Sequence, residues 1–193
     1  MENILEEMVL TKLEKNDNSL RIWSAGCASG EEPYTVAIIL SEIFQKEKTN
    51  PDIYIFATDI DEKILETAQN GVYGPDAVKN VRFGLLQKYF SKKPDSYEIK
   101  PEIKEMVRFS QHNLLDKKSY IPAESIFGDF DIVLCRNVLI YFKTAFQDII
   151  FAKLYRSLNP DGYLVLGEAE VPLEQYRKKL IRVTKCCKIF IKR

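Results

Sequence analysis

The chain has 193 residues, enough for one domain with a substantial buried core. Hydrophobic residues make up 46% and charged residues 29%, which is typical of a globular domain and not of a disordered chain. Lys plus Arg and Asp plus Glu each number 28, so the chain lacks the basic field typical of nucleic-acid and membrane-surface binding. We therefore expect no nucleic-acid partner. The single histidine, His112, excludes chemistry that needs several histidines.

The cysteines form neither a C-x-x-C pair nor a set with zinc spacing, and they are Cys27, Cys135, Cys186 and Cys187. We expect no metal site, and reduced thiols typical of a cytoplasmic protein. Residues 1–13 carry three glutamates, unlike a signal peptide. The longest apolar run lies around residues 36–40 and is far shorter than the ~20 residues of a membrane span, so we expect no membrane insertion.

Apolar periodicity and turn residues divide the chain into alternating helices and strands. The predicted helices cover residues 1–15, 31–46, about 60–69, 85–90 and 144–158. The predicted strands cover residues 20–24, 53–58, 106–110, 130–135, 163–166 and one or two segments within 181–191. Ser29 is the predicted N-cap of the second helix, because Glu32 follows as in a capping box. Residues 71–80 are loop-like, and residues 91–100 suit a small hairpin.

This order predicts an α/β fold with a mostly parallel sheet and right-handed crossovers. The chain ends in strand without a following helix, which predicts an antiparallel edge. Ligands of such sheets bind beyond the carboxyl ends of the strands.

The first of these strand ends carries Gly26 and Gly30, which permit a tight turn and close approach of a ligand. Glu31 and Glu32 begin the next helix, where carboxylates repel a phosphate and favour a cationic ligand. Alternatively, both glutamates are only acidic residues at a helix N-terminus.

Asp59 ends the second strand, where a carboxylate can accept hydrogen bonds from the ribose of an adenosine. Alternatively, Asp59 or Asp61 caps the next helix. The sequence contains no Walker A motif. A nucleoside with a positive charge and no phosphate describes S-adenosylmethionine better than NAD or ATP, although an NAD enzyme stays an alternative.

Arg136 and Asn137 follow the apolar strand over residues 130–135, where a charged residue seldom serves packing. Tyr141 follows five residues after Arg136 and lies beside the same cleft if the chain turns there. Alternatively, Arg136 pairs with a structural acid and Tyr141 fills the core.

These segments together resemble the chemoreceptor methyltransferase family, CheR. The resemblance covers about residues 20–167 and rests on four motifs in the family's order. They are G-E-E-P-Y at 30–34, A-T-D-I-D at 57–61, C-R-N-V-L-I-Y-F at 135–142 and L-N-P-D-G at 158–162.

The resemblance implies a Rossmann-like, S-adenosylmethionine-dependent methyltransferase that methylates glutamate side chains of chemoreceptors in the cytoplasm and releases S-adenosylhomocysteine. Its partner is then the cytoplasmic domain of a receptor. The methyltransferase domain is expected over residues 20–193, after a helix and linker over residues 1–19. A small β-subdomain is expected at about 85–110.

The resemblance also implies roles for individual residues. Arg136 and Tyr141 are expected at the catalytic centre. The expected cofactor-binding residues, including those read from the strand ends, are Gly26, Glu32, Asp59, Asn113, Leu114, Cys135 and Arg136.

The sequence departs from the family's pattern at several points. Only about 19 residues precede the first strand, where the family has a helical domain and a linker with a phenylalanine-arginine motif. Residues 167–170 read G-E-A-E where the family usually has G-H-S-E, and the tail after Pro172 matches poorly. We therefore expect a divergent short member or a truncated chain. Two functional alternatives follow, which are cofactor binding without turnover and methylation of another acceptor.

The proposed chemistry explains the scarcity of histidine. A glutamate side chain is already ionised at neutral pH, so its methylation needs no general base. The protein must supply orientation and a suitable electrostatic environment instead. We expect His112 to be a structural neighbour of Asn113 and not an acid–base group.

Overall fold

The structure is a computed structural model that describes residues 2–15, 18–125 and 129–193. The strands are β1 Ser19–Ala25, β2 Asp52–Asp59, β3 Val72–Tyr73, β4 Phe90–Lys92, β5 Tyr97–Ile99, β6 Val107–Gln111, β7 Phe130–Cys135, β8 Leu158–Leu166, β9 Leu180–Arg182 and β10 Ile189–Lys192. The helices are α1 Glu2–Lys15, α2 Glu31–Glu47, α3 Glu62–Asn70, α4 Pro75–Val78, α5 Phe83–Tyr89, α6 Pro101–Lys104 and α7 Thr144–Ser157. Short 3-10 turns cover Leu139–Tyr141 and Glu174–Tyr176.

The large sheet has seven strands in the order β6-β2-β1-β7-β8-β10-β9. The first five run parallel, with β1 between β2 and β7. Strand β10 pairs antiparallel with both β8 and β9. The predicted α/β class, parallel sheet and antiparallel edge are confirmed.

The core lies on both faces of this sheet because neighbouring residues of a strand point to opposite faces. In β1, Ile22 packs into one apolar cluster and Trp23 into the other, and both are fully buried. Helices α1 and α2 and the small sheet cover the Ile22 face, whereas α7 covers the Trp23 face. The large sheet is thus buried between two apolar layers, and the strand ends emerge at its edge.

The small sheet has three antiparallel strands in the order β3-β5-β4. It includes Val72–Tyr73, outside the expected segment of about 85–110, whereas β6 inside that segment belongs to the large sheet. The prediction that residues 71–80 form a loop is wrong, since they hold β3 and α4. A strand of two residues is too short to show an alternating pattern, which is why the sequence did not reveal it.

Two further local predictions differ from the structure. Gly30, and not Ser29, is the N-cap of α2, and its backbone is left-handed with a φ of 90°. No side chain caps this helix, because the Ser29 hydroxyl donates to the Glu31 carboxylate instead. Strand β8 begins at Leu158 instead of Tyr163, because the chain continues through an irregularity in its pairing with β7. Within the described ranges, no helix combines the length and the apolarity needed to span a membrane.

Helix α1 contributes Leu5, Met8 and Val9 to the core on the Ile22 face. Met8 is only 2% exposed, so Met8→Ala should lower the free energy of unfolding by about 2–4 kcal/mol, measured by urea denaturation. Glu14→Ala, at an exposed position of the same helix, should change it by less than about 0.5 kcal/mol. Equal small effects of both changes would show that α1 does not pack on the sheet.

Candidate functional site: a cleft at the carboxyl ends of the parallel strands

Two adjoining cavities lie at the edge where the parallel strands end. The loop cavity, of about 470 Å³, is bordered by the turns after β1, β2, β6 and β7 and includes Asp59, Asn113 and Tyr141. The helix cavity, of about 390 Å³, continues between α1, α2 and the ends of β7, β8 and β10. The cavities share four residues, which are Gly26, Ala28, Arg136 and Asn137. They therefore form one continuous cleft.

The turn after β1 forms the floor of this cleft. The Gly26 and Cys27 N–H groups both donate to the Thr58 carbonyl of β2, at 2.8 and 2.9 Å. Gly26 has a φ of 78°, and an added Cβ would lie 2.5 Å from a methyl group of Val138. The turn thus requires glycine for both its conformation and its packing against the loop after β7.

Asp59 lies at the end of β2 and lines the loop cavity. Its carboxylate accepts from the Ala28 N–H at 3.0 Å and from the Asp61 N–H at 3.1 Å. Asp61, and not Asp59, is the N-cap of α3, since its side chain accepts from the Lys63 and Ile64 N–H groups. The capping role therefore belongs to Asp61, and Asp59 remains available at the cavity wall.

Glu32 and Arg136 meet on the wall of the helix cavity. The Ser24 hydroxyl donates to Glu32 at 2.7 Å, and Nη1 of Arg136 lies 3.4 Å from the second Glu32 oxygen. Burial raises the pKa of the Glu32 carboxyl, and the Ser24 hydrogen bond and Arg136 oppose that rise. Glu32 is thus more than an acidic residue at a helix N-terminus, because it links α2 to β1 and to the loop after β7.

The loop after β6 also lines the loop cavity. The His112 N–H donates to the Asp59 carbonyl at 2.9 Å, which ties this loop to the end of β2. Leu114 is buried, whereas Asn113 is exposed and its side-chain oxygen accepts from the Leu115 N–H at 2.9 Å. Asn113 and Leu114 border the same cavity as Asp59.

The segment after β7 brings its polar residues to the cleft in different ways. Tyr141 is 81% exposed at the cavity rim, which rules out the alternative that it fills the core. Cys135 is fully buried and is not part of either cavity wall, so the structure does not bring this expected cofactor-binding residue to the surface of the cleft. Burial, together with the nearby Glu170 and Glu32 carboxylates, raises the pKa of the Cys135 thiol well above its ordinary value, and the thiol stays protonated.

Glu170 is a functional residue that the sequence analysis missed. Its buried carboxylate accepts from the N–H groups of Asn137, Val138, Leu139 and Gly167, at 3.1, 2.9, 2.8 and 2.7 Å. This carboxylate therefore holds the loop between Arg136 and Tyr141 against the end of β8. The sequence signal for this contact is the acidic residue three positions after Gly167.

No group of three or more His, Cys, Asp or Glu side chains suited to a metal ion occurs among the residues that the structure describes. The charged side chains that line the cleft are three carboxylates and one guanidinium, those of Glu31, Glu32, Asp59 and Arg136.

The amino-acid sequence is similar to those of known proteins. It matches the family described as CheR methyltransferase, SAM binding domain, over residues 1–187. It is 39% identical to chemotaxis protein methyltransferase 1 of Pseudomonas aeruginosa over 176 residues, covering 86% of this chain and 61% of that protein. It is 36% identical to a chemotaxis protein methyltransferase of Borreliella burgdorferi over 168 residues, covering 86% of this chain and 58% of that protein.

Among solved structures, a TehB-like SAM-dependent methyltransferase from Corynebacterium glutamicum aligns with a TM-score of 0.49 at 13% identity, covering 90% of this chain and 78% of that chain. The chain spans about three fifths of the length of the two curated relatives named above. The family match covers most of the chain and includes the ends of β1, β2, β6, β7 and β8 that border the cleft. The chain therefore belongs to the CheR methyltransferase family, and residues 1–187 match the SAM-binding domain of that family.

Proposed function

We propose that this protein transfers a methyl group from S-adenosylmethionine to glutamate side chains of a chemotaxis receptor. The proposal rests on one observation at the junction of the two cavities. There Arg136 lies beside Glu32 and begins the segment that leads to Tyr141. The names of the curated relatives support chemotaxis receptors as the acceptor class. The protein then acts in the cytoplasm, on the cytoplasmic domain of the receptor.

The residues of the cleft fit this cofactor. Each cavity has a size typical of a small-molecule site, and together they accommodate an elongated nucleoside. Glu31, Glu32 and Asp59 outnumber Arg136, an arrangement that repels a pyrophosphate and favours a ligand that carries positive charge. This charge balance supports S-adenosylmethionine over a phosphate-bearing nucleotide.

Five residues of the cleft would hold the cofactor. Asp59 would accept the ribose hydroxyls, since a carboxylate can receive further hydrogen bonds besides those from Ala28 and Asp61. Asn113 and Leu114 would border the adenine, while Gly26 lets the backbone approach closely. Glu32 would lie toward the methionine end. When bound, the cofactor supplies an activated methyl group on a positively charged sulfur.

Arg136 and Tyr141 would orient the acceptor. The glutamate of the receptor arrives as a carboxylate at neutral pH, so no residue of the protein has to remove a proton. The Arg136 guanidinium can bind one carboxylate oxygen by a charge-assisted hydrogen bond. The exposed Tyr141 hydroxyl can donate to the oxygen that does not react. His112 is then free of an acid–base role.

The direct test is methyl transfer from isotope-labelled S-adenosylmethionine to a purified cytoplasmic fragment of a receptor. The expected product is a carboxyl methyl ester, which releases labelled methanol under mild alkali. Cofactor binding without transfer would favour a binding module that needs further chain for turnover. Alkali-stable label would favour another acceptor group.

The ribose role of Asp59 predicts a selective loss of cofactor binding. Asp59→Asn should weaken S-adenosylhomocysteine binding about 10- to 100-fold, because hydrogen bonds to a charged acceptor contribute free energy of that size. The affinity is measured by calorimetry. Asp61→Asn is the matched control, because asparagine caps a helix as well as aspartate does, and its affinity should stay unchanged. Equal affinities of the two variants would refute the assignment of Asp59.

The role of Tyr141 predicts a loss of turnover without a loss of binding. Tyr141→Phe should lower kcat about 10-fold or more, because it removes one donor to the reacting carboxylate, and should leave S-adenosylhomocysteine affinity unchanged. Tyr120→Phe, at another exposed tyrosine, is the control. Loss of cofactor affinity in Tyr141→Phe would contradict the role proposed here.

The buried Glu170 carboxylate predicts a positional effect on catalysis. In Glu170→Gln, an amide N–H₂ group faces backbone N–H donors, so the loop between Arg136 and Tyr141 should shift and kcat should fall about 10-fold or more. Thermal unfolding should also occur at lower temperature. Glu168→Gln, two residues away and exposed, should leave both quantities unchanged. A fully active Glu170→Gln would show that the loop is held by other contacts.

A further inference from the structure

Lys153 is a buried lysine of α7 that none of the proposed steps uses. Its side chain is 1% exposed, and it lies beneath the loop that follows β6. Its Nζ donates to the main-chain oxygen of Asn113 at 2.9 Å and lies 3.3 Å from Nε2 of His112. The ammonium group thus contacts two successive residues of the loop that borders the loop cavity.

His112 is itself held in place on its other sides. Its ring meets the Trp23 ring edge-on, with centroids 5.6 Å apart. The main-chain N–H of His112 donates to the Asp59 carbonyl at 2.9 Å. Burial and the charge of Lys153 lower the pKa of His112 to about 4, so the imidazole is neutral at pH 7. A neutral ring protonated at Nδ1 presents Nε2 as an acceptor to the Lys153 ammonium.

The placement of Lys153 is costly for packing alone. A buried ammonium loses its hydration, and an apolar side chain of similar volume commonly fills such a position at no loss of stability. Burial lowers the pKa of Lys153 to about 8, while the carboxylate of Asp116, in the same loop, favours the charged form. His112 and Asp116 are the titratable groups that face Lys153 from the loop packed against α7.

We propose that Lys153 is a positioning residue for adenosine recognition. Its ammonium fixes His112 and Asn113 from below, and the loop therefore presents Asn113 and Leu114 to the loop cavity at a constant distance from Asp59. The inference rests on the proposed function, since it assumes that the loop cavity receives the adenosine part of the cofactor. Lys153 acts through the loop and does not contact the ligand itself.

The first test removes the ammonium while keeping the length of the side chain. Lys153→Met should weaken binding of 5′-methylthioadenosine and of S-adenosylhomocysteine by the same factor, about 10-fold, because the lost hydrogen bonds support the adenosine half that both ligands share. Both affinities are measured by calorimetry on the full chain. A larger effect on S-adenosylhomocysteine alone would assign Lys153 to the methionine end and overturn the proposal.

Lys192→Met is a matched control. Lys192 likewise donates to main-chain oxygens, those of Tyr155 and Leu158 at 2.9 and 2.6 Å, and burial likewise lowers its pKa. It is not part of the loop-cavity wall. The control should therefore lose stability without losing affinity for 5′-methylthioadenosine.

A pH profile distinguishes positioning from a merely structural contribution. Above about pH 8 Lys153 loses its proton in the folded protein but keeps it in the unfolded chain, so its contribution to the free energy of unfolding rises with pH up to about pH 10.5. Adenosine affinity should change in the opposite direction, and it should fall as the pH rises through about 8. The affinity of Lys153→Met should not show this fall.

The outcomes separate the two proposals. If the wild-type protein binds neither ligand, the proposed function fails and this inference fails with it. If the wild type binds both but Lys153→Met has the same affinities and the same pH profile, the inference alone is overturned. Should Lys153→Met not fold, the pH profile of the wild type decides, and constant 5′-methylthioadenosine affinity across pH 8 would overturn the proposal.

Discussion

The cleft depends on how one edge of a parallel sheet satisfies its backbone hydrogen bonds. At this edge the regular pairing of β1, β2, β6 and β7 ends, and backbone N–H and C=O groups that pass into the buried turns are costly to leave unpaired. Three charged side chains meet this requirement. Asp59 binds the turn after β1, Glu170 binds the loop after β7, and Lys153 binds the loop after β6. The same contacts fix the geometry of the cleft.

The electrostatics of the cleft follow from the signs of these anchors. Two of them are carboxylates, and Glu32 adds a third that is largely buried beside Ser24 and Arg136. The zero net charge of the whole chain therefore hides a local excess of negative charge at the strand ends. Such a site suits a sulfonium cofactor. Among the described residues that line the two cavities, Arg136 is the one cationic side chain, and it can bind an acceptor carboxylate.

The sequence predicted those features that local patterns encode. Each predicted strand of the parallel part of the sheet is followed within two residues by a glycine or a polar residue, so the sheet, its strand ends, Asp59 and Arg136 could be predicted. The roles of Glu170 and Lys153 could not, because the loops that they hold lie 31–33 and 40–41 residues away and only the folded chain brings them together. The N-cap of α2 is Gly30 and not the predicted Ser29, because the left-handed backbone of Gly30 turns the chain into the helix. The helix cavity depends on how α1 packs, which periodicity alone does not specify.

The most direct measurement of the central claim is a crystal structure of the protein with S-adenosylhomocysteine. The account predicts ribose hydroxyls within hydrogen-bond distance of Asp59, adenine against Asn113 and Leu114, and the sulfur toward Arg136 and Tyr141. The adenosine half in the helix cavity, between Val36 and Ile189, would contradict the account, because the three anchored loops would then not form the nucleoside site.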